Sequence, residues 1–255
     1  MVTSTVPLLR NVLFDTEPAL IHASGRIEQL PLWPALLEAS GRWRVTANVD
    51  PRVTIVTFNN GGNLSSFGKR LGLFEESLRT NGIEQVVVLG GSVSNWKNVM
   101  KIKLLLEFLD SGRASDYVLL ADSADVVLSN DLRSLVPTLT SFGCRALFNA
   151  ERRHWPSNLP PFEREMAPEE YFPFLNSGVW MAETAFAREV AAYATSLKVE
   201  KYAQSDQARY KLAFRHFYPS IRLDHRCVLF QNINGVGADV VSIAELAPSQ
   251  YLREA

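Results

Sequence analysis

The sequence predicts an α/β fold: a single domain with a mainly parallel sheet flanked by helices. From Val53 onward, short runs of β-branched and apolar residues alternate with segments whose apolar residues recur at helical spacing. That alternation is typical of a parallel sheet with helices on its faces. The chain has 255 residues, 47% of them hydrophobic, which is enough for one large domain with a sizeable core.

In the first part of this domain, from Val53 to Asp122, the sequence predicts three strands and two helices. "VTIVTF" is the first strand and ends at the turn residues "NNGG". Leu64 to Leu78 has helical spacing, with Asn81 and Gly82 as its carboxyl-terminal cap. "EQVVVLGG" predicts a second, buried strand, Asn98 to Leu109 a second helix, and "DYVLLAD" a third strand.

The later part is less regular. "CRALFNAE" and "FLNSGVWMA" predict strands, and Glu183 to Lys201 and Ser205 to Phe214 predict helices. Between the two strands lies the proline-rich segment "HWPSNLPPFEREMAPEEYFPF", which is longer than a connection needs to be. Such a segment is typical of a lid or a binding wall.

Residues 1–52 do not follow this alternation. They contain a strand-like run, "PALIH", a helix-like run, "LPLWPALLEAS", and a polar connector. We expect them to form an appendage to a core domain that spans residues 53–255.

Composition excludes several classes of partner. The 26 basic and 27 acidic residues form no long run of either sign, so neither nucleic acid nor an anionic membrane surface is expected to bind. Cys144 and Cys227 are too few for a disulfide framework and lack C-x-x-C spacing, which favours buried thiols. No signal-peptide pattern and no apolar run of about 20 residues is present, so we expect a cytoplasmic protein without a membrane span.

The most informative segment is "YVLLADSADVVLS", in which a hydrophobic strand runs into Asp122 and Asp125. Ligands of open α/β sheets bind beyond the carboxyl ends of the strands, so these aspartates are expected at a binding site. Carboxylates on a tight turn are suitable ligands for Mg²⁺ or Mn²⁺, which bridge diphosphates. From these residues alone another interpretation stays open, in which one aspartate caps the next helix and the other is solvated.

The segment resembles the aspartate motif of nucleotide-sugar-dependent glycosyltransferases with the GT-A fold. "DSAD" is similar to the Asp-Ser-Tyr-Asp of the glycosyltransferase domain of procollagen-lysine hydroxylases, and four further segments follow that domain's pattern in the same order: "FNAERRHWP", "FLNSGVWMA", "SDQARY" and "LDHRCVLFQNINGVGADVV". The resemblance implies a GT-A-like, Rossmann-like sheet. It also implies a UDP-glucose or UDP-galactose donor, Mn²⁺ or alternatively Mg²⁺ on the aspartate turn, and transfer to an unidentified hydroxyl acceptor on a protein or glycan.

The resemblance also implies roles for single residues. Asp122 and Asp125 would hold the metal, and Asp206 would be a catalytic or orienting carboxylate unless it is merely a helix N-cap. Lys101 would face the nucleotide unless it is an ordinary surface lysine, and "NSG" would meet the sugar unless it is a plain turn. Asp224 and His225 are adjacent on a predicted strand and are expected to be structural. The donor-binding candidates are Thr57, Phe58, Lys101, Ser123, Asn176, Ser177, Gly178 and Gln207.

The third metal ligand of the family is a histidine near the carboxyl end of its domain, in a segment patterned Arg-Asn, Asp-Thr, Pro, Leu-Ile-His, Gly. This chain has no such segment after Val241, yet residues 10–25 reproduce the pattern and place His22 at the histidine. Either the chain is circularly permuted and His22 completes its own site, or His22 closes the site of a preceding tandem unit. A plain core histidine is the remaining alternative.

Two further functions stay open at this stage. A glycogenin-like transferase also pairs an aspartate motif with an Asn-x-Gly strand, although "LDHRC" and "FQN" argue against it. A degenerate nucleotide-sugar-binding module without turnover is compatible with Ala124, which stands where the family has a tyrosine. The shortened glycine-rich stretch before Lys101 is compatible with it as well.

Overall fold

The computed structural model of the protein describes residues 6–45, 47–62 and 69–244. Within these ranges it has eleven strands and seven α-helices. The strands are β1 (Leu9–Asn11), β2 (Leu20–His22), β3 (Val53–Phe58), β4 (Val87–Leu89), β5 (Tyr117–Asp122), β6 (Val126–Leu128), β7 (Ala146–Glu151), β8 (Phe174–Glu183), β9 (Ile221–Asp224), β10 (Phe230–Asn232) and β11 (Val241–Ile243). The helices are α1 (Trp33–Arg42), α2 (Leu73–Thr80), α3 (Met100–Asp110), α4 (Leu135–Ser141), α5 (Phe162–Met166), α6 (Thr184–Ser196) and α7 (Asp206–Phe217).

Six strands form the central sheet, in the order β4-β3-β5-β8-β7-β9. Five of them run in the same direction, and β8 is antiparallel to its neighbours β5 and β7. Helices α6 and α7 pack against β8, and α3 packs against α6. The predicted fold class, an α/β domain with a mainly parallel sheet flanked by helices, is confirmed.

The core is continuous through the centre of the sheet. β5 and β8 are buried along nearly their whole length because each has a neighbour on both sides and helices against it. The rings of Phe148 on β7 and Trp180 on β8 stack with centroids 4.6 Å apart, and Tyr210 of α7 packs against both rings. This packing fixes the register between the sheet and α7.

The strand directions bring polar residues to one edge of the sheet. The parallel strands β3, β5 and β7 end there at Phe58, Asp122 and Glu151. Since β8 runs the opposite way, it begins at this edge, and Asn176 lies just inside its start. Open α/β sheets bind ligands at such an edge.

The amino-terminal segment is paired with the rest of the chain through two small sheets. β2 lies between β10, to which it is parallel, and β6, to which it is antiparallel. β1 pairs antiparallel with β11, and the amide of Ala244 donates to the carbonyl of Leu8 at 2.9 Å. Residues 6–22 are therefore hydrogen-bonded into the same domain as the central sheet.

Several predicted elements need correction. β4 is not buried: it is the edge strand, so Val88 is 47% exposed. Of the helix predicted from Leu64, residues 63–68 lie outside the described residues, and α2 begins at Leu73 because Gly72 before it has a left-handed φ of 89°. The proline-rich segment contains the short helix α5.

The helix predicted to reach Lys201 ends earlier, at Ser196. Arg209 of α7 donates to the carbonyl of Leu197 and, at 3.5 Å, to that of Ala194. The carbonyl groups at this end are thus satisfied by a side chain rather than by a further helical turn. Among the described residues, no helix is long and apolar enough to cross a lipid bilayer.

Candidate functional site

A cavity of about 680 Å³ opens at the polar edge of the central sheet. Its wall combines residues from β2, α3, β5, β8 and α7 with Arg153 and two residues of the proline-rich segment, His154 and Trp155. The predicted site residues in this wall are His22, Phe58, Lys101, Asp122, Ser123, Asp125, Asn176, Ser177, Gly178, Asp206 and Gln207. The topology therefore gathers eleven of the twelve predicted residues at one place.

Thr57 is the exception. It is fully buried within β3, and its hydroxyl donates to the carbonyl of Ala121 at 2.8 Å. Alternate residues of a strand face opposite sides of a sheet, so Thr57 cannot share the cavity with Phe58 by its side chain. The side chain of Thr57 is a contact within the sheet, and its assignment to the donor site stays a prediction.

His22 is held beside the aspartate turn by strand pairing. The amide of Ala23 donates to the carbonyl of Asp125 at 2.8 Å, which fixes β2 against the turn. His22 Nε2 lies 3.3 Å from Oδ2 of Asp125, and Nδ1 lies 3.4 Å from the amide nitrogen of Asn232. One potential ligand atom from each of His22, Asp122 and Asp125 lies within 4.8 Å of the other two.

Gly178 provides the space for the His22 ring. A Cβ atom at Gly178 would lie 2.1 Å from Cε1 and 2.5 Å from Nε2 of the imidazole. Real Cβ atoms do not approach a ring that closely, so any side chain at this position would displace His22. The residues Asn176, Ser177 and Gly178 lie inside β8, which shows that the plain-turn interpretation is wrong.

Lys101 links two carboxylates. Its Nζ lies 2.6 Å from Oδ1 of Asp122 and 3.6 Å from Oδ2 of Asp206. Burial by itself would lower the pKa of the Lys101 ammonium, but these two aspartates outweigh it and hold the pKa above its ordinary value. Lys101 is therefore a buried, charged residue of the cavity and not a surface lysine.

The aspartates of the turn are in different electrostatic environments. Burial raises the pKa of Asp122, and the nearby charges of Asp125 and Asp206 add to it against the effect of Lys101. Burial would also raise the pKa of Asp125, yet the ammonium of Lys69 and the imidazole of His22 hold it below its usual range. Lys69 donates to the same oxygen, Oδ2, that faces His22.

Asp206 lines the cavity, and another residue caps its helix. Ser205 is the N-cap of α7, and its hydroxyl accepts from the amide of Ala208 at 3.1 Å. The Asp206 carboxylate instead accepts from the hydroxyl of Ser177 at 3.2 Å. The N-cap interpretation of Asp206 is therefore wrong.

Glu151 brings a fourth carboxyl group to the cavity. Gln207 donates to Oε1 at 2.6 Å, and Ser24 donates to Oε2 at 3.3 Å. Burial raises the pKa of Glu151 to about 7, although the amides of Gln207 and Asn176 favour its charged form. Such a group gains or loses its proton near neutral pH.

Ser123, Asp224 and His225 make hydrogen bonds within the fold. Ser123 lines the cavity, but its hydroxyl donates to Glu75 at 2.8 Å and accepts from the amide of Gly72. Asp224 accepts from three successive backbone amides, of residues 228–230, and His225 Nδ1 contacts the carbonyl of Phe172 at 2.8 Å. The contacts of Asp224 and of His225 are therefore structural, as the sequence predicts.

Sequence reasoning missed Lys69 and Glu151. Glu151 follows a buried strand directly, as Asp122 does, so the rule that singled out Asp122 also applied to it. Lys69 gave no such signal, because its partner Asp125 is 56 residues away along the chain.

The donor set His22, Asp122 and Asp125 fits a divalent cation. Two ligands of an octahedral ion at about 2.1 Å lie roughly 3 Å apart when adjacent, and His22 Nε2 and Asp125 Oδ2 are separated by 3.3 Å. Carboxylate oxygens suit both Mg²⁺ and Mn²⁺, whereas an imidazole nitrogen favours the transition metal. The residues at this position are thus suitable for a divalent cation.

Comparison with known proteins adds three findings. The model of the PLOD GT domain matches residues 51–254. The human multifunctional procollagen lysine hydroxylase and glycosyltransferase LH3 is 25% identical over 229 residues, with 82% of this chain and 29% of the human protein covered. LH3 of Rattus norvegicus is 24% identical over 227 residues with the same coverage. The chain thus spans 29% of the length of these relatives.

Among solved structures, a Bacillus anthracis protein described as a glucose-1-phosphate thymidylyltransferase, in complex with a sucrose, aligns with a TM-score of 0.39 and 11% identity. The alignment covers 71% of this chain and 87% of that one.

Proposed function

The chain belongs to the family of the PLOD GT domain, a glycosyltransferase domain, and from this premise we propose that it transfers a hexose from a UDP-sugar to a hydroxyl acceptor. The hexose is glucose or galactose, and the reaction depends on a divalent cation. The acceptor is a hydroxyl group of a protein or a glycan.

One observation carries this proposal. His22 lies far from Asp122 and Asp125 along the chain, yet the three residues present ligand atoms within 4.8 Å of one another. They do so in the wall of a cavity of about 680 Å³, which is in the usual range for a pocket that binds a small organic ligand. A metal-ligand set beside a pocket of this size is what a nucleotide-sugar site requires.

The three ligands would hold Mn²⁺, with Mg²⁺ as the alternative. When bound, such a cation supplies positive charge that offsets the negative charge developing on the departing UDP. Lys101, buried and charged between Asp122 and Asp206, adds a fixed positive charge on the same side of the cavity. Together these groups favour cleavage of the bond between the sugar and the diphosphate.

The residues of β8 and α7 are proposed to bind the sugar. Asn176, Ser177 and Gln207 present an amide, a hydroxyl and an amide to the cavity, as is suitable for sugar hydroxyls. Asp206 lies beside Ser177 and is our candidate for the carboxylate that orients the reacting groups. Phe58, Ser123, Trp96 and Ala124 line the same cavity and complete the donor site in this proposal.

We further propose that the chain is a circular permutant of its family, with residues 1–52 corresponding to the end of the family domain and residues 53–255 to the remainder. The family model matches from residue 51 onward, so His22 lies outside the matched part. Yet His22 lies beside Asp125 of its own chain. This position favours permutation over the interpretation in which His22 serves a preceding tandem unit, and over a plain core histidine.

A second candidate, a nucleotide-sugar-binding module without turnover, has one observation in its favour. Both turn aspartates already have an ammonium partner, Lys101 for Asp122 and Lys69 for Asp125. Membership of the PLOD GT domain family argues against the glycogenin-like alternative. The cytoplasmic location expected from the sequence stays a prediction.

Thermal-shift titration and product analysis test the proposal together. UDP should raise the melting temperature only when Mn²⁺ is present, and incubation with UDP-glucose or UDP-galactose should release free sugar. Binding without release would favour the inert module. Stabilisation by UDP that is independent of any divalent cation would contradict the proposed metal dependence.

Replacing His22 with alanine tests the ligand set directly. Loss of a residue that merely orients a ligand weakens metal binding by about 10–100-fold, so loss of the ligand itself should cost at least as much. His216→Ala is the matched control, since His216 is exposed and stacks on Tyr193 on the surface of the domain. Equal Mn²⁺ affinity in the His22→Ala variant and the control would remove His22 from the site.

A further inference from the structure

Lys69 already occupies the Asp125 oxygen that a metal ion would need. Its ammonium donates to Asp125 Oδ2, and the same oxygen lies 3.3 Å from His22 Nε2. The Lys69 side chain is only 10% exposed, so this is a buried pair in the cavity wall and not a surface contact. Lys101 makes the equivalent pair with Asp122, at 2.6 Å.

These pairs balance the charge of the cavity floor. Asp122, Asp125 and Asp206 would bring three negative charges into a buried region, where an unpaired charge is strongly unfavourable. Two ammonium groups, of Lys69 and Lys101, offset most of that charge. A divalent cation that bound here would be repelled by two ammonium groups, which already pair with the two aspartates that would bind it.

The two lysines are not equivalent in this respect. Lys101 also faces Asp206, at 3.6 Å, so it keeps a carboxylate partner if Asp122 turns to a metal. Within the part of the chain that the structure describes, the Lys69 ammonium pairs with Asp125 and with no second carboxylate. Lysine is a flexible point charge that commonly binds phosphate, and Lys69 lies in the wall of the proposed donor cavity.

We propose that Lys69 is an exchangeable counter-ion of Asp125: it holds the oxygen until the diphosphate of the donor takes its ammonium and a divalent cation takes its place. The inference rests on the proposed function and adds to it an order of events. The cation binds weakly alone, because it must displace an ammonium, and the diphosphate removes that competitor. Binding of the two ligands is therefore cooperative, and the coupling is reciprocal.

Mn²⁺ titrations with and without UDP test this coupling. Free Mn²⁺ is followed by its electron paramagnetic resonance signal for the wild type and for Lys69→Met. In the wild type, UDP should strengthen Mn²⁺ binding by about 5–150-fold, the usual range for coupled ligands. Lys69→Met should bind Mn²⁺ more tightly than the wild type when UDP is absent, and UDP should then strengthen Mn²⁺ binding by a smaller factor than in the wild type.

Two controls separate the effect from general loss of charge or fold. Lys103→Met removes the same charge from the same protein, at an α3 side chain that is 75% exposed and pairs with Glu107, and should leave the coupling unchanged. In the wild type itself, uridine, which has no phosphate, should not strengthen Mn²⁺ binding as UDP does. The second control needs no variant, so it stands even if Lys69→Met does not fold.

The outcomes distinguish this inference from the proposed function. If the wild type binds Mn²⁺ and UDP but Lys69→Met shows the same affinity and the same coupling, Lys69 is not the counter-ion and the proposed function survives. An equal effect of uridine and UDP would overturn the inference in the same way. If no protein binds Mn²⁺ even with UDP, the metal-dependent function fails and the inference fails with it.

Discussion

Gly178 determines where the metal-ligand candidate His22 lies. The imidazole rests directly on the backbone of β8, and a Cβ at Gly178 would be 2.1 Å from its Cε1 atom. We expect Gly178→Ala to push the ring away from Asp125 and weaken Mn²⁺ binding by at least about 10-fold, similar to the loss of a group that positions a ligand. Isothermal titration with Mn²⁺ in the presence of UDP measures the change.

A glycine elsewhere in the fold gives the matched control. A Cβ at Gly41 of α1 would meet no atom within 4 Å, so Gly41→Ala should leave Mn²⁺ binding intact. It should also stabilise the domain by about 0.5–1 kcal/mol, because alanine favours a helix more than glycine does. Unchanged metal affinity in Gly178→Ala would show that the ring position does not matter to the site.

Glu151 predicts a pH dependence of stability. Burial raises its pKa to about 7 from an ordinary value of 4.5, so between these pH values the folded state holds a proton that the unfolded state has lost. The stability contribution of the protonated group is complete below pH 4.5 and is lost as the pH rises through 7. Glu151→Gln stays neutral at every pH. Relative to the wild type, its free energy of unfolding should therefore rise by up to about 3 kcal/mol between pH 4.5 and 7.

Urea unfolding at several pH values between 4 and 8 measures this difference. Glu200→Gln is the control, since it makes the same substitution at an exposed residue outside the cavity wall. A constant difference between Glu151→Gln and the wild type would mean that Glu151 titrates normally.

At the residue scale, the sequence predicts those site residues that are marked by a local pattern in their own segment. Asp122 and Asp125 are predicted because ligands of open α/β sheets bind beyond the carboxyl ends of the strands, and His22 because its neighbours resemble a family pattern. Thr57 lies outside the cavity wall because residues of β3 alternate between the two faces of the sheet. Lys69 lay beyond sequence reasoning, since its burial depends on a contact with Asp125 across 56 residues.

At the scale of elements, a buried ion pair joins the proline-rich segment to the helix that carries Asp206. Lys211 of α7 and Glu163 of α5 are 2.9 Å apart, with side chains 1% and 0% exposed. Glu163 Oε1 also accepts from the amide of Leu175, at 3.3 Å. The pair thus fixes α5 against both α7 and the start of β8, next to the cavity.

Breaking this pair should be more harmful than removing it entirely. Lys211→Met leaves Glu163 charged and buried, which should cost about 3–5 kcal/mol in the free energy of unfolding. The double variant Glu163→Gln, Lys211→Met keeps an oxygen for the Leu175 amide and should recover much of that loss. Urea denaturation of the two variants and the wild type measures the difference.

A surface pair serves for comparison. Lys103 and Glu107 of α3 are 75% and 60% exposed, so Lys103→Met should change the free energy of unfolding by no more than about 0.5 kcal/mol. A double variant as unstable as Lys211→Met would show that the side chains are needed for packing and not for charge balance.

Element prediction succeeded where hydrophobic periodicity is strong and failed at the ends. β5 and β8 were predicted because continuous apolar runs are typical of strands with a neighbour on both sides. The ends of α2 and α6 are not evident from periodicity. α2 begins after Gly72, which has a positive φ, and α6 ends where Arg209 of α7 donates to the carbonyl of Leu197. The burial of β4 was overestimated because an edge position is a property of the whole sheet.

At the scale of the whole molecule, the proposed permutation depends on how the ends of the described chain meet. β1 and β11 are antiparallel neighbours, with Leu9 opposite Ile243. A chain that leaves β11 could therefore enter β1 as in a hairpin. The other junction, at Pro51 and Arg52, is exposed, and exposed turns are where new chain ends are best tolerated.

These two junctions predict that the family order can be restored without loss of the fold. A rearranged chain would start at Pro51, continue through residue 255 directly into residue 1, and end at Asp50. Because the strand pairs β1–β11, β2–β10 and β2–β6 connect the same residues in either order, we expect cooperative thermal unfolding and Mn²⁺-dependent UDP binding to persist. Circular dichroism and thermal-shift titration measure both properties.

A chain shortened to residues 51–255 is the control for the rearranged chain. A chain of residues 51–255 alone lacks His22 and leaves β6, β10 and β11 without their partners from β1 and β2, so it should neither fold stably nor bind Mn²⁺. If the rearranged chain also failed while the natural order bound Mn²⁺, residues 6–45 would be more than a displaced end of the family domain. If both orders bind Mn²⁺ and both lose it on His22→Ala, the position of His22 in space, and not in sequence, is what the metal site requires.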